Sequence, residues 1–214
     1  MKATWIAVLL ACASGLSAQE ATSRTKLDSP KPDSLVISKS FPANGTLVME
    51  VNVGEIRVVR SDEKKTIRLT IEPRGFYDGA TVQSWVKRFD VAGDRASIDL
   101  KLPKNNDNHQ GASITVSLPA ETDLKLELGV GELSVKGIEG NKKLHVGIGE
   151  LTVGVVDGAK YNEIRTGTKI GDAQDAVFNQ RSGGFFPKTQ HTSSQGMYKL
   201  DATVGIGDVN VVQD

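Results

Sequence analysis

From residue 124 to residue 156 apolar and polar positions alternate with period two, and the alternation slips phase at the same short phrase each time. That phrase reads Leu128-Gly129-Val130-Gly131-Glu132-Leu133, then Val146-Gly147-Ile148-Gly149-Glu150-Leu151, and returns near the end as Val204-Gly205-Ile206-Gly207-Asp208-Val209. Val51-Asn52-Val53-Gly54-Glu55-Ile56 and Thr168-Lys169-Ile170-Gly171-Asp172-Ala173 are looser copies. Aligned on the Gly before the acid, apolar residues stand three and one positions before it and two and four positions after it, as with Leu128, Val130, Leu133 and Val135. Period two marks a strand with one buried face. One buried face survives a phase slip only where the chain bends or bulges, which suits a glycine followed by an acid that can face water. Each copy therefore predicts strand, Gly-acid corner, strand, with the apolar positions on both sides facing one core.

The spacing of the corners adds a stacking direction. Gly131 and Gly149 lie 18 residues apart, Gly149 and Gly171 lie 22 apart, and Gly171 and Gly207 lie 36 apart, twice the first interval. A fixed period near twenty is the mark of units that bury their apolar face only against their neighbours. The expected fold is all-β: a single-domain β-solenoid or closely related stacked β-fold, with a Gly-acid corner about every 18 residues and one short helix. The alternative is a twisted antiparallel sandwich whose strands share a turn motif.

The rest of the chain fills in around this repeat. Leu35 to Phe41, Thr46 to Val59, Lys65 to Ile71, Ser97 to Leu102 and Ala112 to Leu118 read as strands, and Pro103 to Gly111 as an exposed loop. Val82, Trp85, Val86 and Phe89 fall at helical spacing, which predicts a short amphipathic helix near 80–89 with its aromatic stripe in the core. Tyr161 to Ala173 reads as a third repeat turn and Tyr198 to Val211 as the last. Between them, from Arg181 through Phe185, Phe186 and Pro187 to Gly196, the alternation fails, and a loop projecting from the stack is expected.

Composition changes this picture mainly by exclusion. The 214 residues carry 26 basic and 26 acidic side chains, a net charge of +0, and only 5% aromatics. No basic field or stacking platform points to nucleic acid. At the N-terminus Lys2, the apolar run Ala3 to Ala11 and Gly15-Leu16-Ser17-Ala18 read as a signal peptide over 1–18, with cleavage before Gln19. Residues 19–34 are polar and proline-containing and read as a disordered linker, leaving 35–212 as the folded domain. The apolar run is too short to span a bilayer permanently, so the mature chain is expected to lack a transmembrane helix and to be exported, periplasmic or extracellular. Cys12 is the only cysteine; Leu9-Leu10-Ala11-Cys12 loosely resembles a lipoprotein box, so anchoring through acylated Cys12 is the alternative.

Candidate chemistry is sparse. Glu55, Glu132, Glu150, Asp172 and Asp208 share one place in the repeat, and stacking in register would set neighbouring acids about 4.8 Å apart. Such a column could bind a divalent cation, but the calcium sites of β-roll repeats use a denser Gly-Asp pattern. The preferred reading is solvated corner acids that accept backbone hydrogen bonds or pair with lysines. Gly147-Ile148-Gly149 mimics the start of a dinucleotide fingerprint, yet the third glycine and the following helix are missing. His109, His145 and His191 show no ligand spacing, and His145 should face outward. No catalytic residue, cofactor or metal site is assigned. The candidate partner-binding residues are Phe185 and Phe186, flanked by Gly and Pro, as an exposed apolar tip; the competing reading folds both back over the last turns.

Ser40-Phe41-Pro42, the strand end Ser117-Leu118-Pro119, the signal sequence and the repeated Gly-acid corners together resemble a bacterial family of adhesin-like domains of unknown function, related to head-GIN and auto-transporter adhesin-like domains. The resemblance covers roughly Leu35 to Val212. It implies a β-solenoid in an envelope or secreted protein, with an envelope or surface protein or glycan as partner and no catalytic residues to carry over. This chain departs from the family in showing no transmembrane anchor or extra adhesive module. The remaining alternatives are a structural or stress-related periplasmic protein and a polysaccharide-acting enzyme.

Overall fold

The computed structural model describes residues 34–103 and 111–214. The expected signal peptide, most of the linker, Cys12, His109 and most of the Pro103–Gly111 loop lie outside the described residues. In chain order the elements are β1 (Leu35–Ser40), β2 (Gly45–Arg60), β3 (Thr66–Arg74), α1 (Gly79–Ser84), β4 (Val86–Ala92), β5 (Arg95–Leu100), β6 (Gly111–Leu118), β7 (Thr122–Lys136), β8 (Lys142–Val155), β9 (Tyr161–Asp175), β10 (Gln180–Phe185), β11 (Lys188–Thr192) and β12 (Tyr198–Gln213). The protein is all-β, its twelve strands joined in one mixed sheet.

The five strands that carry the phrase are the long ones, and they pair in parallel in the order β2, β7, β8, β12, β9. Gly54 pairs with Gly131, Gly131 with Gly149, and Gly149 with Gly207, so the corners form a column. The motif has a steric origin. The glycine before the acid takes φ between +125° and +148° in all five copies, a region L side chains rarely adopt. The earlier glycine is there because the strands approach closely: a Cβ on Gly147 would lie 2.5 Å from the carbonyl oxygen of Gly129. On both sides of the corner the inward residues, such as Leu124, Leu126 and Leu128 before it and Leu133 and Val135 after it, enter one hydrophobic core.

Parallel, in-register pairing of the motif strands differs from the antiparallel sandwich. Strand order also departs from sequential winding, because β12 lies between β8 and β9. The 36-residue interval from Gly171 to Gly207 therefore holds no additional motif strand. Residues 181–196, expected as a projecting loop, instead hold most of β10 and all of β11, which pair antiparallel with the C-terminal and N-terminal halves of β9. They cover an edge that would otherwise be open to another chain. The missing alternation is explained by edge position: β10 reads Gln-Arg-Ser-Gly-Gly-Phe and buries none of its residues.

At the opposite end β5 and β6 together fill one strand position, β5 against the first half of β2 and β6 against the second. Asn52 stands where the next strand has Gly129, and its side chain bridges this broken rung. Its Nδ2 donates to the Leu102 carbonyl at 2.8 Å, and its Oδ1 accepts from the Leu102 N–H at 2.9 Å. β3 extends this end antiparallel to β6, and β1 pairs antiparallel with β3.

The helix near 80–89 is shorter than its spacing predicts. α1 stops at Ser84, Trp85 caps it, and Val86 and Phe89 belong to β4. The helical period and the strand period coincide on Phe89, which is buried in either reading. Trp85 is buried, with its ring edge-on to Tyr77 at a centroid distance of 5.0 Å.

One position of the repeat is corrected by the structure. Val51, Leu128, Val146 and Val204, three before the glycine, are buried as expected. In four copies the residue one before it faces solvent, Val130, Ile148, Ile206 and Ile170 being exposed, while Val53 is half-buried and packs against the core. The phase slip thus begins at the residue before them, Gly129, Gly147, Gly205 or Lys169, earlier than period two implies.

Candidate functional site

The corner between β10 and β11 presents the candidate aromatic pair. Phe185 is 80% exposed and Phe186 70% exposed, so neither ring folds back onto the stack. The backbone beneath them is held firmly. The Phe186 N–H donates to the Lys169 carbonyl at 2.9 Å, and the Thr168 N–H donates to the Pro187 carbonyl at 3.1 Å. Phe186 has φ +55°, a conformation uncommon for a bulky residue. Holding it there costs on the order of 1–2 kcal/mol. The result is two rings displayed on a pinned and strained turn.

Phe185 pairs with Ile170 across β10 and β9. Opposed residues of neighbouring strands share a face, so Phe185 continues the exposed line of Ile170, Ile206, Ile148 and Val130 along the corner. Two residues further along each strand stands the acid column Glu55, Glu132, Glu150, Asp208, Asp172. Glu55 pairs with Arg57 and Arg74, and Asp172 pairs with Arg181 at 2.8 Å. Oδ1 of Asp208 accepts the backbone N–H of Asp172 at 2.8 Å. The ion pairs are thus with arginines rather than the expected lysines. Among the described residues no group of three or more His, Cys, Asp or Glu side chains is arranged to hold a metal ion.

His145 faces outward as expected, with Nδ1 2.9 Å from Thr203 Oγ1. His191 stacks on Phe178 at a centroid distance of 3.4 Å. His145 lies in a shallow outer depression with Glu50, Asp99 and Glu127, which the pairing of β5, β2, β7 and β8 sets side by side.

Three buried ionisable groups, Lys142, Tyr161 and Asp175, escaped the reading of the sequence. Lys142 takes an inward position of β8 between Leu124 and Leu200. Its amine reaches the Tyr161 hydroxyl, which donates to the Gly140 carbonyl at 3.4 Å. Burial pulls the Lys142 amine down to about 8, against smaller opposing effects of Glu139, Asp123 and Asp214, and burial pushes the Tyr161 hydroxyl up.

Asp175 ends β9 inside the core. Its Oδ1 accepts from the Val177 and Phe178 N–H groups at 3.0 and 3.2 Å, and its Oδ2 has no partner among the described residues. Burial raises this carboxyl above its ordinary range, outweighing those two hydrogen bonds. Between the unfolded and the higher folded value the native state holds the extra proton, so stability falls as pH rises through that window. Asp175→Asn keeps an acceptor for both N–H groups and removes the ionisation. It is expected to raise Tm at pH 7 and to leave it nearly unchanged below pH 3.5. Thermal melts of both proteins across that range check this; a lower Tm at pH 7 would contradict it.

No helix among the described residues is long and apolar enough to cross a membrane. No family model and no curated protein matches the chain. Among solved structures it is similar to a candidate cell-adhesion protein from Clostridium sporogenes, at 15% identity and a TM-score of 0.54, over 85% of this chain and 100% of that one. An adhesin candidate from Bacteroides fragilis (11% identity, TM-score 0.28, 86% of this chain and 99% of that one) overlaps too loosely to bear on the fold. The same holds for a candidate lipid-binding protein from Parabacteroides distasonis (11% identity, TM-score 0.26, 86% and 98%). At these identities the first likeness concerns the fold alone.

Proposed function

We propose that the protein is an exported, non-enzymatic binding module, an adhesin-like β-solenoid that engages a protein or glycan of the cell envelope or cell surface. The observation that carries this reading is the Phe185–Phe186 tip. Exposed aromatic rings on a fixed turn lose little freedom on binding, and exposed apolar groups of this size mark contact sites. The in-register column of corners supports the solenoid reading, with the inserted β12 as its departure from simple winding. Export rests on the N-terminal sequence, either as a free chain from Gln19 or as a lipoprotein through Cys12.

The test is retention of the chain from Gln19 onward on envelope fractions, beside Phe185→Ser/Phe186→Gly. Glycine accepts positive φ, so the second change relieves strain instead of adding it. The variant is expected to melt at or above the wild-type temperature and to be retained about tenfold less, the effect of losing an aromatic hot spot. Equal saturable retention of both would take Phe185 and Phe186 out of the site. No saturable retention of wild type would defeat the binding reading in favour of a structural role in the periplasm.

A further inference from the structure

The corner carries an apolar line and a charged line side by side. Val130, Ile148, Ile206 and Ile170 are 46%, 50%, 49% and 47% exposed, and Phe185 extends them. They follow the ladder, one residue per strand, at steps of about 4.8 Å. Isolated exposed apolar residues need no explanation, but a continuous line of five does. Beside it the ends of the acid column are neutralised by Arg57, Arg74 and Arg181. Its middle is not. Glu132 and Glu150 lie directly opposite one another, and no cation of the described residues pairs with either. Like charges placed opposite each other in a sheet are unfavourable. Arginine answers the same acid at β2 and β9, so the bare pair beside the apolar line is a local feature of this strip.

We propose that this strip docks a basic amphipathic α-helix supplied by another protein. The inference rests on the reading of the chain as a binding module and names the chemistry of its partner. The partner must offer an apolar side chain about every 5 Å along a line, with positive charge along one flank. An extended strand laid on the line repeats its same-face side chains every 6.8 Å or so and falls out of step within two rungs. A helix repeats every 5.4 Å and drifts by only about 2 Å across the three steps from Val130 to Ile170. With Phe185 the line is roughly 19 Å long, matching a helix of about 13 residues. Charge argues against the other occupants. An anionic lipid surface or nucleic acid meets Glu132 and Glu150 with like charge. A second copy laid antiparallel sets acid column against acid column. The only α-helix among the described residues, α1, has six residues, too few to span the strip.

The probe is a designed fluorescein-labelled helical peptide of about 18 residues, with Leu at i, i+3, i+4 and i+7 spacing and Lys on the flanks. Its controls are a scrambled peptide of the same composition and a version with Glu for Lys. Saturable anisotropy change is expected with the wild-type chain from Gln19 onward and not with the scrambled peptide. Ile148→Ser/Ile206→Ser should weaken binding about tenfold or more. Glu132→Lys/Glu150→Lys should lose the Lys peptide and gain the Glu peptide. Equal binding of the scrambled peptide, or failure of the charge-reversed variant to switch preference, overturns the proposal. So does a dimer, seen by sedimentation of the protein alone, that disappears in Ile148→Ser/Ile206→Ser. Retention on envelope fractions without helical-peptide binding defeats the helix and leaves the binding-module reading standing.

Discussion

Gly149→Ala is expected to cost about 4 kcal/mol or more, enough to lower Tm by roughly 10 °C or to unfold the chain outright. Gly149 sits at φ +136°, and a Cβ there would stand 1.8 Å from the carbonyl oxygen of Gly131 and 2.8 Å from its carbonyl carbon. The obstruction is backbone of the neighbouring strand, so no rotamer change relieves it. The strands must part at the corner, which breaks the ladder that joins β7 to β8. Three other glycines separate the causes. Gly54 has φ +148° but stands at the end of the column, where the nearest atoms are Ile114 Cδ1 at 3.4 Å and the Ala112 carbonyl oxygen at 3.5 Å. Its change to alanine should cost clearly less. Gly93 has φ +61° and nothing within 4 Å, so Gly93→Ala carries only the dihedral penalty of about 1 kcal/mol. Gly79 lies in α1 without positive φ or close neighbour, and Gly79→Ala should stabilise slightly. Chemical denaturation of the four variants checks the ranking. If Gly149→Ala and Gly93→Ala cost the same, close stacking of the corners is not what the motif is for.

The same corner shows what could and could not be read from residue order. Strand, corner and parallel column were legible because each copy repeats a local constraint: positive φ at Gly131, Gly149 and Gly207, and apolar inward positions on either side. The outward turn of Val130, Ile148, Ile206 and Ile170 was not. Period two assigns them to the core with Leu128 and its equivalents, and only the backbone at the position before them, Gly129 in β7 but Lys169 in β9, reverses them. Strand order was illegible for a different reason. β12 resembles its neighbours in sequence whichever pair it joins, and the choice between ending the stack and entering it between β8 and β9 is made by tertiary pairing. The edge strands β10 and β11 were missed because edge strands need no buried face, and alternation is the signal by which strands are recognised. Phe185 and Phe186 were singled out from composition alone, Phe beside Gly and Pro where the pattern failed. Their exposure follows from the hydrogen bonds that Lys169 and Pro187 make across the corner.

Lys142 supplies the second large effect, and its sign is unusual. The side chain is 2% exposed, in a row with Leu124 and Leu200, with a hydroxyl and a carbonyl as near neighbours and, among the described residues, no carboxylate in ion-pair contact. Its folded value of about 8 lies below the ordinary 10.5. Between these values the unfolded chain holds a proton that the folded chain has released, so stability rises with pH across the window. Below about pH 8 both states are protonated, and the native state bears the full penalty of a buried charge, on the order of 3 kcal/mol. Tyr161 acts oppositely: burial raises its hydroxyl, so the unfolded chain ionises first and stability falls above about pH 10. The pair therefore predicts greatest stability near pH 10. Lys142→Met keeps the length of the stem, removes the charge and leaves Tyr161 donating to Gly140. Allowing about 1 kcal/mol for the lost hydrogen bond, the variant should gain roughly 2 kcal/mol at pH 7, a rise of about 4–8 °C in Tm. The advantage should vanish at about pH 10, where the folded wild-type amine is neutral and little of the charge penalty is left to offset the lost hydrogen bond. Urea titrations of both proteins at pH 7, 8.5 and 10 measure this directly. A wild-type profile flat from pH 8 to 10, or a Lys142→Met variant weaker at pH 7, would show that the amine reaches water or a carboxylate in solution.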